Sequence, residues 1–236
     1  MLVLGIDTAT PIGSIGLIED DMVIAEYVLN VVETHSARLM PALDDMLRRA
    51  SVDRSEIDAI AVTRGPGSFT GVRVGVATAK GLAFALKKPI IGVISLDVLA
   101  FNLRFHGGII CPMLDARRGE VYAAIYRGGE DELRRTSDYL CSPVDDVLDL
   151  IDEPALFSGG GARRYRETIE RRLGGMANFA DHVFDLPRGS VVAMLGLERL
   201  RRGESDELFS FVPLYLRRPE AEVKLESGDL PDKSLL

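Results

Sequence analysis

The residues best suited to phosphate chemistry are an aspartate at the end of an apolar run and a glycine-rich loop. Asp7 closes 2-LVLGID-7 and is followed by Thr8 and Thr10, a carboxylate and two hydroxyls of the kind that meet a metal-bound phosphate. The same aspartate can instead cap a turn, because its side chain reaches its own backbone two residues on. The loop 65-GPGSFTG-71 opens a helix, so Gly65, Gly67, Ser68, Thr70 and Gly71 could hold an anion through backbone N–H groups. No Gly-Lys-Ser/Thr closes the loop and the GxGxxG spacing is absent, so it is neither a P-loop nor a dinucleotide fingerprint.

Other catalytic groupings are missing. His35, His106 and His182 are the histidines of the chain, none within four residues of another, so no pair has metal-ligand spacing. No G-x-S-x-G elbow is present. The acid pairs Asp20–Asp21, Asp44–Asp45 and Asp145–Asp146 are sequence neighbours, and helix neighbours do not face a common point. Cys111 and Cys141 form no CxxC and read as reduced, buried thiols. No catalytic residue, metal site or cofactor is expected.

The elements that must carry these residues follow from pattern. Segments 2–7, 13–19 and 22–30 are strands joined by tight turns and are therefore antiparallel neighbours. Segment 34–50 is an amphipathic helix with Leu39, Leu43, Met46, Leu47 and Ala50 on one face, and Pro41 inside it predicts a kink or a late start. A buried strand at 58–64, a helix from Thr70 to about Leu86 and a strand at 89–95 complete a mixed α/β lobe over residues 1–97.

In the helix after the loop, Gly67, Gly71, Gly75, Ala79 and Ala83 recur every fourth position. One face thus carries almost no side chain and another backbone can approach it. A helical glycine costs about 1 kcal/mol relative to alanine, so Gly75 predicts a close contact, with the adjacent sheet favoured over a second chain. The rest of that helix surface is left for a partner.

Residues 98–219 read as a smaller lobe: a hairpin at 109–116 and 119–127, a helix at 142–151 with Ser142 as N-cap, a strand at 154–159 and a helix after 159-GGGA-162. A helix at 190–202, with Ser190 as N-cap, packs back toward the first lobe, and 220–236 is an acidic tail.

The 236 residues, 47% hydrophobic and 27% charged, suit a folded chain with a sizeable core. The opening MLVLGIDTAT reads as a strand rather than a secretory leader, and the apolar window 82–100 is broken by Lys87, Lys88, Pro89 and Asp97, so a cytoplasmic protein without a membrane span is expected. A net charge of −8 opposes nucleic-acid binding by bulk electrostatics. The arginine doublets, Arg117–Arg118 among them, have acidic neighbours and read as solvated faces.

Taken in order, 5-GIDTAT-10, 35-HSARLMP-41, 63-TRGPGSFTGVRVGVATAKGLA-83, 95-SLDVLA-100, 114-LDARRGEVYAAIY-126, 158-SGGGARRY-165 and 213-PLYLRRPEA-221 resemble the bacterial TsaB (YeaZ) family, whose members carry an older glycoprotease-like label. The resemblance implies a two-lobed actin/Hsp70/sugar-kinase-like (ASKHA, RNase H-like) α/β fold with mixed sheets. It also implies a non-catalytic role in making N6-threonylcarbamoyladenosine in tRNA. The partners implied are TsaD, which bears the catalytic metal, and TsaE through the complex, with a homodimer when TsaD is absent and tRNA met indirectly. Carried onto this chain, the partner contact would comprise His35, Leu39, Met40, Leu43, Met46 and Leu47 on one helix and Arg73, Val74, Gly75, Thr78 and Ala79 on the next. Asp7, Thr8, Thr10 and the Gly65–Gly71 loop would be a vestigial phosphate site. At 159-GGGA-162 the chain departs from the family pattern, so no nucleotide contact is carried over there. The competing reading is an ATP-dependent, kinase-like enzyme of the same fold using Asp7 and that loop; a protease has no visible nucleophile–base pair.

Overall fold

The computed structural model describes residues 1–30, 35–129 and 132–217; the acidic tail 220–236 and the side chain of His35 lie outside them. The first half comprises β1 (Leu2–Asp7), β2 (Gly13–Glu19), β3 (Met22–Leu29), α1 (His35–Ala50), β4 (Ala59–Thr63), α2 (Phe69–Leu86) and β5 (Ile90–Val93). Tight turns make β1, β2 and β3 antiparallel, and the crossover helices make β1, β4 and β5 parallel, giving the order β3-β2-β1-β4-β5. α1 and α2 cover one sheet face, packing Leu39, Leu43, Met46, Leu47, Val72 and Val76 onto Leu4, Ile6, Ile60 and Val62. By length and a mean hydropathy of 1.2, α2 could cross a membrane, but its Gly71–Val72–Gly75–Val76–Ala79–Ala83 face is buried in this core. α1 begins at His35 and runs through Pro41 without the expected late start. The carbonyl of Ala37, deprived of its partner by the proline, lies on the exposed side where water can reach it.

After α3 (Ser95–Phe101) the second half contains β6 (Gly108–Arg117), β7 (Glu120–Ala123), β8 (Tyr126–Gly128), β9 (Arg134–Arg135), β10 (Leu140–Pro143), α4 (Val144–Leu148), β11 (Ala155–Ser158), α5 (Gly160–Arg164), α6 (Arg166–Leu173) and β12 (Ala177–Phe179). Its main order, β10-β7-β6-β11-β12, has the same directions as the first sheet: three antiparallel strands, then two parallel to the first of them. The topology is thus used twice, which is the RNase H-like, two-lobed arrangement of the ASKHA fold. Ser142 lies in β10 and Pro143 precedes α4, so Ser142 is not the cap. The β6–β7 turn holds Arg117, Arg118 and Gly119 at φ of 67°, 56° and 84°. For each arginine this left-handed backbone costs on the order of 1 kcal/mol.

α7 (Gly189–Arg201) follows the second sheet yet lies on the first, where Val191, Val192, Ala193 and Leu197 meet Val3, Ile18, Ala59, Ala61 and Ile91. Together α7 and α3 separate the two sheets, α3 packing Leu96, Leu99 and Ala100 onto Ile110, Leu114 and Tyr126. Contact between α7 and the first sheet is backbone on backbone: a Cβ on Gly5 would stand 2.1 Å from the Gly189 carbonyl oxygen, and one on Gly16 2.2 Å from the Ser190 nitrogen. The α7 N-terminus is satisfied by strands rather than by its own cap. Ser14 Oγ accepts from the Gly189 N–H at 2.9 Å, and Glu26 accepts from the Ser190 N–H at 2.9 Å and hydroxyl at 2.6 Å and from Arg188. Ser190 therefore sits inside the helix as a donor to Glu26 instead of capping it.

From Glu204 the chain returns as a strap along β5 and α2. Asp206 accepts from the Gly92 N–H at 2.7 Å, Phe211 is buried beneath Gly92, and the Leu214 N–H donates to the Arg64 carbonyl at 2.7 Å. Arg217 then donates to the Ala116 carbonyl at 2.9 Å and pairs with Glu120, tying the strap to the second sheet.

Two outcomes are expected. Gly5→Val should lower unfolding free energy by at least about 2 kcal/mol in urea titrations, because neither backbone at that contact can withdraw cheaply. Burial acts to raise the pKa of Glu26, but hydrogen bonds from Arg188 and Ser190 outweigh it and hold the carboxyl below its ordinary 4.5. Its stabilisation is therefore present above 4.5 and lost as pH falls through the depressed value. Glu26→Gln should cost about 1–3 kcal/mol at neutral pH and flatten the acid limb of a melting-temperature profile.

Candidate functional site

Parallel pairing of Ile6 with Val62 brings the ends of β1 and β4 together, and with them Asp7 and Thr63. Thr63 Oγ1 donates to Asp7 Oδ1 at 2.6 Å, the Ala9 N–H reaches the same oxygen at 3.4 Å, and Asp7 Oδ2 has no hydrogen-bond partner. Asp7 is fully buried, and burial, working against those two hydrogen bonds, pushes its carboxyl up to about 7.

The groups that would cradle a phosphate are used within the chain. Thr8 Oγ1 donates to the Gly71 carbonyl at 2.7 Å, the Ser68 N–H to the Ala9 carbonyl at 2.7 Å, and Ser68 Oγ caps α2 by accepting from the Gly71 N–H at 3.3 Å. Thr10 is turned to the Ile12 carbonyl at 2.8 Å. A Cβ on Gly67 would lie 2.3 Å from the Ala9 carbonyl oxygen, on Gly71 2.1 Å from that of Thr8, and on Gly75 2.3 Å from Thr8 Oγ1. The small-residue face is therefore an intramolecular seat for the segment after β1. Gly65 is covered by the strap, its Cβ position 2.7 Å from the Leu214 oxygen, while Thr70 is exposed on the first turn of α2. Among the described residues no group of three His, Cys, Asp or Glu side chains could hold a metal ion.

The same seat divides the residues assigned to partner contact. Leu39, Leu43, Met46 and Leu47 of α1 and Gly75 and Ala79 of α2 are buried between the helices and the first sheet, so a partner cannot reach them. That part of the expected interface is corrected: a helical apolar stripe shows that a face is covered without showing what covers it. Met40 and Arg73 are exposed, and Val74 and Thr78 are half-buried. Between them Ala77, Gly81, Phe84 and Ala85 extend an exposed, mostly apolar face along α2. Arg73 stacks over Phe69 at 3.9 Å and donates through Nε to the Tyr215 hydroxyl at 2.9 Å, so the strap fixes one end of that face. Phe84 against Phe209, centroids 6.4 Å apart, marks the other end.

A family model described as "TsaD: tRNA N6-adenosine threonylcarbamoyltransferase" matches residues 23–225. The tRNA threonylcarbamoyladenosine biosynthesis protein TsaB of Bacillus subtilis (strain 168) is 38% identical over 227 residues, 95% of this chain and 97% of that protein. This chain belongs to the TsaB (YeaZ) family. The TsaB of Haemophilus influenzae is 31% identical, covering 81% of this chain and 84% of its own. YeaZ from Pseudomonas aeruginosa superposes with a TM-score of 0.79 at 31% identity over 91% of this chain and 99% of its own.

In this TsaB-family chain the repeated topology also locates what sequence reasoning missed. The counterpart of Asp7, near the end of the first strand of the second sheet, is Asp115, so a second acid is present. It is held by Arg164 at 3.4 Å and Arg117 at 3.8 Å, and accepts from the Arg117 N–H at 2.9 Å. Asp97, in the SLDVLA stretch, accepts from the hydroxyls of Tyr126 at 2.6 Å and Tyr139 at 2.8 Å across a cavity of about 700 Å³ between α3, α7 and the second sheet. Only the fold, bringing positions 97, 126 and 139 together, could have revealed that cluster.

Asp7 supplies a pH test. A folded carboxyl raised from 3.8 to about 7 loses stability as pH rises through that interval. Asp7→Asn should therefore be more stable than the parent by at least about 1 kcal/mol at pH 8 and close to it near pH 4, read from urea midpoints at the two pH values.

Proposed function

We propose that this chain is a non-catalytic partner subunit required for N6-threonylcarbamoyladenosine modification of the adenosine beside the anticodon in tRNAs that read codons beginning with A, binding and activating TsaD. Relatives named as TsaB carry that biosynthesis in their names, and the matching family description is that of a transferase acting on tRNA adenosine. The observation that carries the role is the division within α2. Its glycine-rich side is closed on Thr8 and Ala9, leaving no open phosphate cradle, while Ala77, Gly81 and Ala85 face outward without covering side chains. A helix face of small residues lets another helix approach to close backbone distance. On this reading the face takes TsaD, or a second copy of this chain when TsaD is absent. TsaE joins through the complex, tRNA is met within it, and the setting is the cytoplasm.

The kinase-like alternative requires Asp7 to face phosphate. Its burial, its bond to Thr63 and the arginines on Asp115 favour the subunit role instead. Tight ATP binding by the purified chain, lost in Asp7→Asn, would reverse that judgement.

Depletion of the protein followed by mass spectrometry of tRNA nucleosides should show loss of threonylcarbamoyladenosine; an unchanged level sinks the proposal. A Cβ on Gly81 meets nothing within 4 Å, so Gly81→Glu should leave stability equal or up to about 1 kcal/mol higher. The same substitution should abolish co-purification with TsaD.

A further inference from the structure

We propose that the tip of the β6–β7 hairpin, Arg117 and Arg118, with Arg164 and Arg217 at its base, is a surface that holds the phosphate backbone of RNA. Choosing RNA among polyanions rests on the functional reading above; the cationic surface rests on the geometry.

The first observation is the turn itself. Arg117 and Arg118 occupy consecutive left-handed positions ahead of Gly119, where Asn-Gly or Asp-Gly would adopt the same hairpin with less strain. Packing does not explain the choice at Arg117, whose side chain is 76% exposed. The strained backbone serves to hold long cationic side chains at the tip.

The second observation is how charge is arranged around it. Arg117 and Arg164 both approach Asp115 Oδ2, at 3.8 and 3.4 Å, longer than a charge-assisted hydrogen bond of about 2.7–2.9 Å. Each guanidinium therefore keeps most of its five N–H donors. Sharing one oxygen also keeps the two groups close enough to grip one phosphate or two successive ones. Arg217, carried in by the strap, binds Glu120 and the Ala116 carbonyl beside them. Both carboxylates lie at the base, Asp115 only 20% exposed, while Arg164 is 54% exposed. Four guanidinium groups against two recessed carboxylates make a local cationic face on a chain of net charge −8.

The kind of ligand follows from shape. None of these arginines lines the cavity between α3 and α7, and the hairpin tip projects outward. Planar guanidinium forks match phosphate oxygens, and contacts of this type set affinity and register rather than sequence preference.

The test is fluorescence anisotropy of labelled tRNA with the full chain, alone and bound to TsaD, over a salt series. The double variant Arg117→Asn/Arg118→Gly should weaken binding about 10-fold and reduce the slope of log K against log salt by about 1–2. Its thermal midpoint should rise, because the turn is relieved. Arg164→Ala, which leaves the turn intact, should weaken binding and lower the slope by about 1. Unchanged affinity and slope in both variants would overturn the proposal, as would a fall in thermal midpoint with binding intact, which would make the arginines structural. Displacement of tRNA by polyglutamate as effectively as by unlabelled tRNA would assign the face to an acidic protein and overturn it too. Normal tRNA nucleosides after depletion, with these binding effects present, would sink the functional reading and leave the surface standing; the converse result would do the opposite.

Discussion

The contact on which the site depends is the seating of Thr8 and Ala9 against Gly67, Gly71 and Gly75. Cβ positions 2.1 to 2.3 Å from the Thr8 and Ala9 oxygens leave room for hydrogen alone, so α2 lies directly on the turn that follows β1. Three consequences come from that approach. Asp7 is sealed with Thr63 as its donor, the N–H and hydroxyl groups of a phosphate cradle are turned to neighbouring carbonyls, and the opposite side of α2 is presented outward. A site that resembles nucleotide chemistry in its residue types thereby becomes a device for fixing a helix.

A second close contact, α7 on Gly5 and Gly16, makes the two sheets one body. The helix grows from the end of the second sheet, and its first turn is held by Ser14 and Glu26 of the first. The strap continues the same work on the outer side, with Phe211 in the first core and Arg217 on the β6–β7 hairpin. Because the strap also holds Arg73 through Tyr215, the exposed helix face and the second sheet are mechanically linked through residues 211–217.

The two halves have diverged at equivalent points. After the first strand of one stands a buried carboxyl whose ionised form is disfavoured; after the first strand of the other stands Asp115, ionically paired and ringed by arginine. One topology thus supports an apolar seat in the first half and a cationic hairpin in the second.

Much of this was legible in sequence because it is local. Period-2 and near-continuous apolar runs specify β1 to β5, helical periodicity specifies α1 and α2, and the four-residue glycine spacing announces a close approach. Local signals do not name the surface on the far side of that approach. Leu39, Leu43, Met46 and Leu47 therefore looked like a partner face, until the sheet, assembled from strands far apart in sequence, proved to cover them. Ser142 and Ser190 looked like caps for the same reason, before Pro143 and Glu26 took those places. The Asp115 cluster and the Asp97–Tyr126–Tyr139 cluster join residues whose spacing carries no pattern. Secondary structure and buried stripes are consequences of neighbouring residues along the chain; which stripe meets which, and which side remains free, is decided by long-range strand pairing.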